Sequence, residues 1–341
     1  MRAFVITAPG RAEVREVAEP EPGPGEVVVA VERAGVCGTD VEFFTGEMAY
    51  LHTGDAAYPI RIGHEWCGVV AATRPGADPA WVGRRVTGET MLGCGRCDRC
   101  TGGRQHLCAD RHEIGIRHGW PGALAEAVPV PVRALHALPD AVDATLGALV
   151  EPGGNALRAV RAAALAAGER LLILGPGTIG LLAAQIAAAD GVEVHLLGRP
   201  GPTHDFARSL GFDNAWTAET LPAVRFDAVL DASNARELPA LALDLVEPGR
   251  RVVYIGLAGE PSHVDTRALV LKDVTAVGIL SGYGGLPGTI RLYAEGAVRP
   301  RPLVDATVGL AEAADVLAGL SSGERRPGWR GAPKLHIDPR R

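Results

Sequence analysis

The short run Gly175-Pro-Gly177-Thr178-Ile179-Gly180 constrains this chain more than any other feature. It follows an apolar stretch, Arg170-Leu-Leu-Ile-Leu174, and opens an Ala- and Leu-rich stretch with helical character. A strand, a glycine turn and a helix in that order is the setting in which G-x-G-x-x-G cradles a pyrophosphate. The first glycine makes the tight turn, the second lets the backbone approach phosphate, and the third lets helix and strand pack closely. Four further strand-like runs follow at Val192–Leu197, Phe226–Leu230, Arg251–Ile255 and Val274–Val277, with helical stretches among them. That alternation predicts βαβ units on a parallel, doubly wound sheet, so the overall class is α/β.

Leu171 to Ala189 carries no charged residue and is long enough to cross a bilayer. Gly175-Pro-Gly177 interrupts it, and the strand-turn-helix reading accounts for it without a membrane. An NAD site ordinarily ends its second strand with an acid that holds the ribose 2′-hydroxyl. Here that strand ends Leu197-Gly198-Arg199-Pro200, with no acid until Asp205. Arg199 in place of the acid predicts a 2′-phosphate, hence NADP(H) over NAD(H).

The chain has 341 residues, and one hydrophobic core stops growing near ~250–300 residues. Two domains are therefore expected. The texture before residue 150 is mainly β, with runs such as Glu26–Glu32 and Cys67–Ala72 set between Gly- and Pro-rich turns. A final short run, Lys334-Leu-His-Ile337, cannot build a core of its own. The expected division is 1–150 with 306–341 as one domain and 151–305 as the nucleotide-binding domain. The net charge of −6 and the absence of long single-sign runs disfavour nucleic acid as a partner. The amino terminus lacks a secretory signal pattern, and a cytoplasmic, reducing setting is expected.

Four of the six cysteines, Cys94, Cys97, Cys100 and Cys108, fall within fifteen residues at spacing C-x2-C-x2-C-x7-C. Four thiolates on one lobe suit a closed, structural Zn²⁺ site, whereas a disulfide framework suits a smaller secreted chain. An iron–sulfur cluster is the competing use of such cysteines, and nothing else in the chain points to electron transfer. A second, catalytic zinc needs about three protein ligands and an open position. Cys37, in Gly35-Val-Cys37-Gly-Thr39-Asp40, and His64 can supply two, and Glu151, at the junction of the two halves, can complete the shell. Cys67 remains as a buried structural thiol.

These motifs, with Gly63-His64-Glu65, Ala125-Glu126, Leu138-Pro139-Asp140, Glu151-Pro152 and Leu271-Lys272-Asp273-Val274, resemble the zinc-dependent medium-chain dehydrogenase/reductase superfamily, the alcohol and polyol dehydrogenases, over nearly the whole chain. The resemblance implies a GroES-like catalytic domain built from both chain ends, with a Rossmann domain inserted. It makes Cys37 and His64 zinc ligands, with Glu65 and Glu151 as carboxylates that ligate or exchange with water. Thr39 takes the place of the hydroxyl that relays the substrate proton. Zinc then acts as a Lewis acid on a substrate oxygen while hydride passes to or from the nicotinamide. Family members often carry His five residues after the catalytic cysteine, and this chain has Glu42. That departure, with Glu113 in His112-Glu113-Ile-Gly-Ile116 and with Asn155, is similar to the archaeal-type glucose dehydrogenases. It implies a sugar, polyol, cyclitol or amino sugar as substrate, with a simpler alcohol as the alternative. A homo-oligomer, dimer or tetramer, is expected. A non-catalytic relative would be expected to lose Cys37 or His64, and this chain keeps both.

Overall fold

The computed structural model describes residues 1–324 and 326–341 and divides the chain into two compact units. The first comprises Met1–Glu151, Ala306–Trp329 and Lys334–Arg341; the second comprises Pro152–Asp305 and Arg330–Pro333. The short Arg330–Pro333 insertion departs from the sequence expectation, which keeps the whole carboxy-terminal segment with the first unit.

In the first unit the long strand β1 (Glu26–Val36) is the organising element. Its Val27, Val29 and Val31 are fully buried, as alternation on one face of a strand requires. It is followed by helix α1 (Gly38–Thr45). Strands β2 (Glu65–Thr73), β3 (Arg85–Gly88), β4 (Ala127–Pro131) and β5 (Leu135–Ala137) complete the amino-terminal contribution. The carboxy-terminal strand Lys334–Asp338 pairs antiparallel with the far end of β1, and β2 pairs antiparallel with the other edge of β1. Strand Val304–Gly309 closes the sheet beyond it, so Glu26–Val36 and the carboxy-terminal strands share one seven-stranded sheet, while Arg2–Ala8 and Arg11–Glu16 pair in a sheet of their own. Register places His336 opposite Gly35 and Gly35 opposite Glu65, which brings three distant segments side by side. A core around Phe4, Phe43, Ile62, Trp66 and Leu124 packs this unit.

The second unit opens within helix α2 (Val150–Ala163). Its strands are β6 (Arg170–Leu174), β7 (Glu193–Leu197), β8 (Ala215–Trp216), β9 (Phe226–Asp231), β10 (Val246–Tyr254) and β11 (Thr275–Gly278). All pairings are parallel, in the order β8-β7-β6-β9-β10-β11. Taken in chain order this is 3-2-1-4-5-6, the doubly wound arrangement of two mononucleotide-binding halves. Leu171 through Leu174 of β6 are fully buried because helices cover both faces of a parallel sheet. Helix α3 (Thr178–Ala189) follows β6 and α4 (Pro202–Ser209) follows β7. Among the described residues no helix is long and apolar enough to cross a membrane, and Leu171–Ala189 resolves into β6, the glycine turn and α3.

Candidate functional site

In the cysteine lobe the chain folds back over fifteen residues, and the sulfurs of Cys94, Cys97, Cys100 and Cys108 all lie within 4.8 Å of one another. The Cys94–Cys100 separation is 3.9 Å and the Cys97–Cys108 separation is 3.7 Å. A tetrahedron with Zn–S bonds of about 2.3 Å has an edge of about 3.8 Å, so the donors already stand at zinc spacing, far beyond a disulfide bond. The N–H groups of Arg96 and Cys97 hold the Cys94 thiol down to about 6, while burial pushes Cys100 up to about 12. A thiolate beside a thiol that keeps its proton is what crowded sulfurs do until a cation draws the remaining protons off.

The second cluster joins Cys37, His64 and Glu65, whose ligand atoms also lie within 4.8 Å of one another. Cys37 sits at the amino-terminal cap of α1, and His64 immediately precedes β2. Asp40 ties the two together. Its buried carboxylate accepts from the Cys37 N–H at 2.9 Å and the Gly63 N–H at 3.2 Å, and it stands 3.7 Å from His64 Nδ1. Burial pushes Asp40 up, against the pull of His64 and the Cys37 N–H. Nδ1 of His64 is buried without a hydrogen-bond partner among the described residues and faces the Asp40 carboxylate, which orients the ring beside Cys37. Burial opposes charge on that ring, but Asp40, Cys37 and Glu151 outweigh it and hold its pKa well above the usual value. Metal binding by a ring so held competes with its proton.

Glu65 is not idle. Lys334 donates to both of its oxygens, at 2.8 and 2.7 Å, and to the Val36 carbonyl at 2.9 Å, so all three ammonium hydrogens are used. The pair is nearly sealed from solvent, at 3% and 2% side-chain exposure. Burial pulls the ammonium down, and Glu65 with Cys37 more than restores it. Gly35 makes room for this arrangement, since a Cβ there would come 2.1 Å from Glu65 Oε2. Glu151 stands outside the three-residue cluster. Thr90, itself buried, places its hydroxyl 3.3 Å from the His64 carbonyl and 3.5 Å from Glu151 Oε1, and its one proton serves one acceptor at a time.

In the second unit the glycine turn behaves as its sequence requires. Gly175 has φ +93°, and a Cβ there would press on Ser233 at 3.1 Å. A Cβ on Gly180 would meet the Gly175 carbonyl at 2.0 Å, whereas one on Gly177 would meet nothing within 4 Å. Open space over the second glycine and none over the third is the shape that admits a pyrophosphate. Gly177 caps α3 without a side-chain hydrogen bond, and Thr178 and Ile179 open its first turn. The helix therefore presents unclaimed N–H donors to that space.

Residues 23–140 match the alcohol dehydrogenase GroES-like domain, and residues 178–295 match the zinc-binding dehydrogenase domain. An L-threonine 3-dehydrogenase of Saccharopolyspora erythraea is 34% identical over 291 residues, covering 82% of this chain and 83% of that one. The chain belongs to the zinc-binding dehydrogenase family. Among solved structures, one described as a zinc-binding dehydrogenase of Sinorhizobium meliloti bound to NADP is 28% identical, with a TM-score of 0.87 over 99% of both chains. Galactitol-1-phosphate dehydrogenase of Escherichia coli is 25% identical, with a TM-score of 0.88 over 99% of this chain and 100% of that one. The dehydrogenase is accordingly an oxidoreductase of the alcohol and polyol type, with a GroES-like and a Rossmann domain. These relatives do not carry the narrower likeness to glucose dehydrogenases, which rests on Glu42, Glu113, Asn155 and the residues around Cys37.

The remaining sequence candidates fall in different surroundings. Thr39 and Glu42 lie one turn apart on α1 of the dehydrogenase. Glu42 is half-buried, its side chain has no hydrogen-bond or ion-pair partner among the described residues, and burial together with Glu47 raises its pKa. Glu113 is buried, and its Oε1 already accepts from Arg111 at 2.8 Å and from the Tyr50 hydroxyl at 3.2 Å. Asn155 lies on α2, one turn beyond Glu151. Gly153 and Gly154 seat helix α5 (Leu286–Ala294). A Cβ on Gly153 would meet the Tyr293 hydroxyl at 2.3 Å, and one on Gly154 would meet Leu286 Cδ1 at 2.6 Å. Arg199 is exposed at the end of β7, and Cys67 is buried with its sulfur against Gly147. Sequence reasoning missed Asp40, Thr90 and Lys334 in these roles. Lys334 carried one signal, being one of only two lysines in the chain.

Proposed function

We propose that this dehydrogenase transfers hydride between NADP(H) and a secondary or anomeric hydroxyl, or the matching carbonyl, of a sugar, polyol, cyclitol or amino sugar. The observation that carries the substrate class is Glu42. A half-buried carboxylate without a protein partner, one turn from Thr39, favours a substrate that brings its own hydroxyl or ammonium donors. Simpler alcohols offer no second donor and are the alternative reading.

Cys37 and His64, with Glu65 or Glu151, are the residues to hold a catalytic zinc, and Cys94, Cys97, Cys100 and Cys108 are those to hold a structural one. When bound, the catalytic ion supplies Lewis-acid polarisation of the substrate oxygen. Thr39 carries the hydroxyl proton away from the reacting oxygen, and Asp40 fixes the backbone of Cys37 and of Gly63 beside His64. The turn Gly175–Gly180 binds the pyrophosphate, and Arg199 meets the 2′-phosphate. Its position at the end of β7, where an acid would hold a free 2′-hydroxyl, supports NADP(H).

The working form is a homo-oligomer in a cytoplasmic setting. Strand β11 is the edge of the six-stranded sheet, and Leu257, Val270, Leu271 and Leu280 are exposed large apolar side chains of the same unit. An unpaired edge accompanied by apolar side chains supports a second copy as its cover.

The test is a panel of polyols, cyclitols, aldoses, amino sugars, L-threonine and aliphatic alcohols with NADP⁺ and with NAD⁺, followed at the reduced-nicotinamide band. Oxidation confined to aliphatic alcohols would remove the polar-substrate reading. Absence of turnover on every class, with two zincs bound per chain, would remove the catalytic one.

A further inference from the structure

The tetrapeptide Arg330–Pro333 belongs to the second unit, although the segments on either side, Ala306–Trp329 and Lys334–Arg341, belong to the first. Its docking point is specific. Gly331 adopts φ +97°, and a Cβ there would come 2.0 Å from the Pro202 carbonyl oxygen and 2.7 Å from Phe206 Cβ. The backbone of this short crossing thus lies directly on the beginning of α4, a closeness and a backbone conformation that only glycine permits. Pro202 is three residues beyond Arg199, a span of at most about 11 Å. The crossing therefore delivers Arg330 to the same corner of the nucleotide-binding unit as the arginine that ends β7.

We propose that Arg330 is a second ligand of the cofactor 2′-phosphate, acting with Arg199. The inference rests on the NADP(H) reading above. Both arginines are exposed, and neither has a hydrogen-bond or ion-pair partner among the described residues. Arg208, on the same helix α4, is by contrast committed to the Ala215 carbonyl at 2.8 Å. A phosphate dianion has more acceptor sites than one guanidinium can fill, and a planar fork meets phosphate oxygens in pairs. Two uncommitted forks meet that demand, while a free 2′-hydroxyl has no use for them. Arg330 is in this sense a specificity residue for the cofactor, supplied by the carboxy-terminal segment and separate from the glycine turn.

Calorimetric titration of the zinc-loaded protein with NADP⁺ and with NAD⁺ tests this without turnover. Arg330→Ala is expected to weaken NADP⁺ binding by about tenfold or more, since a hydrogen bond to a charged group contributes roughly 1.5–3 kcal/mol. NAD⁺ binding is expected to stay within twofold, which also reports that the unit remains folded, and Arg330→Lys is expected to recover part of the loss. If Arg199→Ala weakens NADP⁺ binding and Arg330→Ala does not, the role of Arg330 is overturned while the NADP(H) reading stands. Equal weakening for both cofactors by Arg330→Ala overturns it too, as damage to the docking of the segment. Wild-type protein that binds NAD⁺ at least as tightly as NADP⁺ removes the cofactor reading itself, and the proposal with it.

Discussion

Lys334 and Glu65 are separated by 269 positions and meet as one buried ion pair. Removing one partner of such a pair leaves an uncompensated charge in a dry interior and costs roughly 3–5 kcal/mol. Lys334→Met is therefore expected to lower unfolding free energy by several kcal/mol in urea titrations, and adding Glu65→Gln should restore part of it. If the double variant is no better than the single one, the lysine stabilises through packing and not through charge. His336, two residues on, is fully buried, and both ring nitrogens lack a partner among the described residues. Burial, with the charges of Lys334 and Arg33, brings its pKa down to about 3 from the ordinary 6.5. The fold binds the neutral ring, so the unfolded chain takes up the proton first as pH falls. The stabilisation is complete above pH 6.5 and is lost progressively toward pH 3. His336→Leu is expected to flatten the decline in stability between pH 6.5 and 5, and an unchanged slope would sink the assignment.

At the scale of single elements, the cysteine lobe and the glycine turn each do one local task. Cys97→Ser is expected to leave one zinc per chain by elemental analysis and to lower thermal stability, because four donors at tetrahedral spacing become three. Cys37→Ser should keep the lobe zinc and the fold but abolish turnover; retention of substantial activity would remove Cys37 from the catalytic shell. In the glycine turn, Gly180→Ala forces a methyl to within about 2 Å of the Gly175 carbonyl, so α3 must move away from β6. Weaker binding of both NADP⁺ and NAD⁺ by at least tenfold is the expected outcome in calorimetry, since the turn is proposed to hold the phosphates they share. Both elements were legible in the sequence because their donors lie within fifteen and six residues of one another. The strand positions in the nucleotide-binding half were legible for a related reason: a parallel strand covered on both faces is written as one continuous apolar run.

For the whole molecule, the seven-stranded sheet makes the carboxy-terminal strand part of the first unit's architecture. The six-stranded sheet ends in an exposed strand, and Leu271, 86% exposed, is among the apolar side chains of its unit. Light scattering is expected to report a dimer or tetramer, and Leu271→Asp to shift it toward smaller species. A wild-type monomer at micromolar concentration would end the homo-oligomer reading.

The sequence by itself determined what depends on local pattern: the parallel sheet, the glycine turn between its first strand and helix, and the four-cysteine lobe. The tertiary structure decided what that pattern leaves open. It paired Glu65 with a lysine from the last strand, gave Asp40 the task of fixing both ligand-bearing segments, and set Thr90 against Glu151. It set Gly153 and Gly154 against helix α5, and Glu113 against Arg111 and Tyr50. The physical reason is common to all of these. A backbone motif is encoded by neighbours along the chain, whereas the partner of a buried charge is fixed by sheet register and packing, which bring together residues that no local pattern links.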